Sequence, residues 1–74
     1  MWKIELYRDE DGNIRIVFNG KDMLVTELNV PLLAQLYKQT GQLPSFALRD
    51  KNDAELSVVS HSLTESIKDI ASRL

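Results

Sequence analysis

Apolar and polar residues alternate from the start of this chain. Trp2, Ile4 and Leu6 stand among Lys3, Glu5 and Tyr7, the two-residue period of a strand with one buried face. Ile14, Ile16 and Phe18 repeat that period around Arg15 and Val17, and Asp9-Glu10-Asp11-Gly12-Asn13 between the two runs is turn chemistry. Side chains directly opposed across antiparallel strands share a face, so Ile4 and Leu6 have to meet even-numbered partners. A two-residue Asp11-Gly12 turn sets Leu6 against Val17 and splits the apolar face. A three-residue Glu10-Asp11-Gly12 loop sets Leu6 against Ile16 and Ile4 against Phe18, with Gly12 at the left-handed position such loops require. The three-residue loop is the one predicted. Asn19-Gly20 then suits a two-residue type I′ turn that opposes Ile16 with Met23 and Ile14 with Val25. Residues 2–8, 14–18 and 21–27 therefore read as an antiparallel meander.

The period then changes. Val30, Leu33, Leu36 and Tyr37 recur at helical spacing, behind an Asn29 cap, with Pro31 in the first turn and Leu28 at staple distance from Leu33. Gly41 supplies the stop. Leu32 falls off the apolar stripe, as a contact residue or as a widening of the buried face. Phe46 and Leu48 lead into the polar turn Asp50-Lys51-Asn52-Asp53, and Leu56, Val58 and Val59 return as a second short strand. Ser62-Leu63-Thr64-Glu65 has the form of a capping box, and Leu63, Ile67, Ile70, Ala71 and Leu74 follow as a helical stripe, with Asp69 and Arg73 one turn apart on the wet side. The expected fold is α+β, an antiparallel sheet made of a three-stranded meander plus a second hairpin, with two helices in the order βββαββα. Such stripes also serve as docking anchors, but a properly capped stripe reads first as the domain's own core.

At 74 residues the chain is a single small α+β domain spanning 1–74, with 43% hydrophobic and 27% charged residues. Nine basic against eleven acidic residues leave a net charge of -2, which implies neither a nucleic acid nor a membrane surface. With no cysteine, disulfides, thiolate-bound metals and thiol catalysis are excluded, and a reducing, cytoplasmic setting is expected. The opening residues do not have the form of a signal peptide, and no apolar run has the length of a membrane span.

Catalytic chemistry finds little to stand on. His61 is the only histidine, and imidazole beside Ser60 and Ser62 invites a nucleophilic reading. Sequence neighbours seldom have triad geometry, so His61 is read as a solvent-facing residue just ahead of a helix cap. Asp9, Asp11 and Asn13 have the alternating spacing that opens a calcium loop, but Ile14 and Gly20 stand where glycine and a bidentate glutamate are needed. Turn chemistry accounts for the same residues. Asp50, Asn52, Asp53 and Glu55 read as a solvated hairpin tip. The three glycines are isolated, so no phosphate loop forms, and no cofactor or small-molecule substrate is expected. Lys3, Arg8, Arg15 and Lys21 are interleaved with Glu5, Asp9, Glu10 and Asp22, which disfavours nucleic acid.

What the core does not consume is the odd-numbered face of the meander. Tyr7, Arg15 and Leu24 stand in one row across three strands, with Val17 beside them, in a frame of Lys3 and Glu5. Arg15 beside Tyr7 allows an arginine–aromatic contact. Scattered apolar residues on an open sheet are ordinary, yet amphipathic residues in a charged frame are also what interaction surfaces are made of. The function expected is a non-enzymatic protein–protein interaction module, a small inhibitor or adaptor of the sort common among bacterial and phage accessory proteins, binding another protein or itself as a homodimer. Its contact residues are Tyr7, Arg15, Val17 and Leu24. The alternative is a sheet that binds single-stranded nucleic acid by stacking bases on Tyr7, or a regulatory domain of that kind.

Overall fold

The computed structural model describes residues 2–74. Four strands, β1 (Lys3–Arg8), β2 (Ile14–Phe18), β3 (Lys21–Leu24) and β4 (Ser45–Leu48), combine with helices α1 (Val30–Thr40) and α2 (Ala54–Ala71) in the order βββαβα. The fold is α+β, and the sheet is mixed, with strand order β3-β2-β1-β4.

The first hairpin takes the expected register. Leu6 pairs with Ile16 and Tyr7 with Arg15. Gly12 has φ 83°, and Asp9 closes the loop by donating its N–H to the Asn13 carbonyl at 2.9 Å. The second turn puts both Asn19 and Gly20 at positive φ, 54° and 79°, as a type I′ turn demands. Ile16 then faces Met23, and Arg15 faces Leu24.

Three expectations are corrected. The third strand ends at Leu24 rather than 27, so Ile14 and Val25 do not pair in the ladder. Val25–Glu27 coil into a single 3-10 turn, in which the Glu27 carboxylate accepts the Leu24 N–H at 2.9 Å and the chain is turned toward α1. Residues 56–59 are helix, not strand. Asp53 accepts the Glu55 N–H and starts α2, so Ser62 and Glu65 lie in mid-helix rather than at a cap, and Asp50–Asp53 is the approach to a helix rather than a hairpin tip. Leu56 is fully buried, and Val59, Leu63, Ile67 and Ile70 continue its stripe at helical spacing. Lastly, β4 has no hairpin partner and runs parallel to β1, pairing Ile4 with Phe46 and Leu6 with Leu48. A parallel neighbour needs a long crossover, and the chain from β2 through α1 supplies it.

The α1 helix follows its expected grammar: Asn29 Oδ1 accepts the Leu32 N–H at 3.2 Å, and the Gly41 N–H caps the Tyr37 carbonyl at 2.8 Å. Ile4, Leu6 and Ile16 from the even face of the sheet meet Leu33 and Ala34 of α1 and Leu56 and Ile67 of α2, all essentially solvent-free. At the edge of this core Trp2 packs edge-on to Phe18, and its ring N–H donates to the Gln42 carbonyl at 2.9 Å, tying β1 to the approach to β4. Both helices thus lie on one side of the sheet. The other side is open.

Candidate functional site

Strand parity decides what the open face carries. Lys3, Glu5 and Tyr7 come from β1, Arg15 and Val17 from β2, Asp22 and Leu24 from β3, and Ser45 and Ala47 from β4. Tyr7, Arg15, Val17 and Leu24 are brought together as the sequence implies, each half-buried by its neighbours.

Side-chain bonding on that face differs from expectation. Arg15 does not stack on Tyr7. It turns toward Asp22, donating from Nε to Oδ1 at 2.8 Å, and its Nη1 approaches Asp9 Oδ2 at 3.8 Å. The Tyr7 hydroxyl donates to the other oxygen of the same Asp22 carboxylate. The arginine–aromatic contact comes instead from Arg49, just past β4, whose guanidinium lies 3.9 Å from the centre of the Tyr7 ring. Arg49 also donates to Glu5 Oε1 at 2.8 Å. Continuing the parallel register places Arg49 beside Tyr7, which is why the two meet. Asp22 and Arg49 are therefore members of the site that sequence reasoning missed. Asp22 was reachable, since the type I′ turn alone opposes it to Val17 on the odd face. Arg49 was not, because its place depends on the parallel strand.

Electrostatics follow the bonding. The Tyr7 hydroxyl, and then Arg15, hold the Asp22 carboxyl below its ordinary value of 3.8. The same bond, with the negative charge it ends on, raises the Tyr7 phenol above its ordinary 10.0, so Tyr7 stays protonated near neutrality. Arg15 is held in its charged form chiefly by Asp22.

Elsewhere the candidate chemistry is consumed by structure. Asp9 Oδ1 accepts the N–H groups of Asp11 and Asn13 at 3.0 and 2.9 Å, which is the work of a turn. Asp53 and Glu55 bind Arg8, at 3.0 and 2.5 Å, while Arg8 Nη1 donates to the Gly12 carbonyl at 2.8 Å. That one arginine ties the first hairpin loop to the start of α2. His61 is exposed on α2 rather than ahead of a cap, and Ser60 spends its hydroxyl on the Ser57 carbonyl at 2.8 Å. Among the described residues, no three His, Asp or Glu side chains converge as metal ligands would. Among the described residues, no helix is long and apolar enough to cross a membrane. A cleft of about 230 Å³ opens between β3 and the start of α1, over Phe18, Met23, Leu28 and Leu33. Leu32, 47% exposed, stands at its rim.

No family model, curated protein or solved structure matches this chain.

Proposed function

We propose that this chain is a non-enzymatic protein–protein interaction module, an inhibitor or adaptor that docks a protein partner on the open face of its sheet. One observation carries the reading: both helices cover one side of a four-stranded sheet, and the other side presents Tyr7, Val17 and Leu24 inside a frame of paired charges. Exposed apolar atoms rimmed by satisfied polar groups are the make-up of a reversible interface. The pairing also argues against catalysis. Tyr7 is held neutral and Asp22 charged by each other, so neither is poised to exchange a proton near neutral pH.

Size sets the kind of complex. Four strands about 4.8 Å apart and about 16 Å long offer roughly 300 Å² of flat face. A standard interface takes about 800 Å² from each partner, so this face by itself suits a transient complex. Nucleic acid is the weaker fit: Arg49 sits on the ring of the one open-face aromatic, and Arg15 and Arg49 are each committed to a carboxylate.

The test is affinity capture with the wild-type chain and with Tyr7→Ala/Leu24→Ala, followed by titration of whatever protein is retained. Loss of two central contacts weakens binding about tenfold or more, with a circular dichroism spectrum like wild type. Equal binding by the double variant overturns the surface assignment. Retention of single-stranded oligonucleotides that fades as salt rises gives the face to nucleic acid instead.

A further inference from the structure

The two edges of the sheet are built differently. Strand β3 begins Lys21-Asp22 and breaks into a 3-10 turn after Leu24, so charge and a bend blunt it against further pairing. Strand β4, Ser45-Phe46-Ala47-Leu48, has no charged residue at all. The Ser45 and Arg49 N–H groups donate to the carbonyls of Trp2, just ahead of β1, and Leu6 on β1, at 3.0 Å each. Successive N–H groups of a strand alternate sides, so those of Phe46 and Leu48 point outward from the sheet. Side-chain burial is also incomplete at this edge. Ile4 and Leu6 of β1 are fully buried, while Phe46 and Leu48, their register partners on the same face, are only half-buried.

We infer that β4 pairs with the β4 of a second copy of this chain, antiparallel and about a two-fold axis through Ala47, to make one continuous eight-stranded sheet. The edge is complementary to itself in that register. Phe46 faces the second Leu48, the pair whose outward N–H and C=O groups exchange hydrogen bonds, which gives four bonds across the dimer. Both are apolar and lie on the helix side, where each covers the other's exposed remainder. On the open side Ala47 meets its own copy at the narrow, non-hydrogen-bonded position, where a small side chain fits. Ser45 faces the second Arg49, with no like charges opposed. Pairing keeps all four helices on one side and joins the two open faces into about 600 Å², near the area a standard interface takes from one partner. The pairing rests on the edge alone; only the gain in docking area rests on the function proposed above.

Sedimentation velocity over about 1 μM to 1 mM chain tests it. The wild type is expected to move from monomer to dimer across that range, and Ala47→Lys, which sets two lysines against each other at the axis, to stay monomeric. Ser45 is exposed, so its variants leave the fold alone while reading the register. Ser45→Glu, placed against the second Arg49, tightens the dimer about two- to tenfold through its two new ion pairs, and Ser45→Lys loosens it comparably. Leu24→Ala, on the far side of the sheet, leaves the dimer intact, so this inference and the docking reading fail separately. A wild type that is monomeric throughout, or a dimer indifferent to Ala47→Lys and to both Ser45 variants, overturns the inference.

Discussion

Tyr7 has two partners that pull on different parts of it. Its ring supports the Arg49 guanidinium, and its hydroxyl holds Asp22, so one residue links the β4 end of the open face to the β3 end. Substitution separates the two. Tyr7→Phe keeps the ring and its cation contact but removes the strongest of the influences that hold the Asp22 carboxyl down. In the variant the Asp22 carboxyl is expected to titrate closer to 3.8, while an NMR contact between the Arg49 side chain and residue 7 persists. Tyr7→Ala is expected to lose both. An Asp22 titration unmoved in Tyr7→Phe assigns its depression to the two arginines, Arg15 ahead of Arg49. Tyr7, Arg15 and Leu24 were placed on one row by alternation and turn type, because both are local properties of the first 25 residues. Their bonding was not legible: the cation on the Tyr7 ring is a second arginine, Arg49, that arrives from 42 positions beyond Tyr7 along the chain.

Elements were legible wherever the local signals agree. The meander and α1 follow from turn glycines, an Asn29 cap and unbroken periodicity, and the structure reproduces them apart from the early end of β3. Helix α2 shows the opposite case. Val58 and Val59 are β-branched and adjacent, and the capping-box pattern at Ser62–Glu65 offered a plausible later start, so residues 56–59 read as strand. Helical packing overrode this weak preference. Leu56 and Ile67 fill the core, Val59 is half-buried, and Val58 projects with 66% exposure. A stripe that already runs Leu56, Val59, Leu63, Ile67, Ile70 was the available sign that one helix begins at Asp53. The boundary has a direct check in thermal unfolding. Asp53→Ala removes both the cap and the Arg8 partner and lowers the melting temperature. Ser62→Ala, in an exposed mid-helix position, stays within about 0.5 kcal/mol of wild type. A loss of about 1 kcal/mol or more from Ser62→Ala is the cost of a lost cap, and places a helix start there instead.

At the scale of the whole molecule, a core built on one sheet face leaves the outer connections to charge. Arg8 joins the β1–β2 loop to α2 through Gly12, Asp53 and Glu55, and Asp22 joins β3 to β1 through Tyr7. This determines how stability varies with pH. Asp53 lies below 3.8 in the folded chain, first because Arg8 donates to it, and Asp22 lies below 3.8 for the reasons given above. The unfolded chain therefore binds protons at a pH where the folded chain still resists them. The contribution of these carboxylates is complete above about pH 5 and is lost as pH falls through their folded values. Tyr7 acts at the other end with the opposite sign: its phenol is raised, so its contribution holds below 10.0 and is lost as pH climbs through the folded value. Melting temperature is thus expected to be level from about pH 5 to pH 9 and to fall on both sides. Arg8→Gln is expected to lower the plateau and to flatten the acid limb, so that the gap between variant and wild type narrows as the pH approaches about 2. The limb keeps some slope, because the backbone N–H groups of Glu55 and Leu56 still favour a charged Asp53 and because Asp22 is untouched. Two parallel curves, equally separated at neutral and acid pH, would mean that Arg8 supports the fold by packing alone and not through the Asp53 charge.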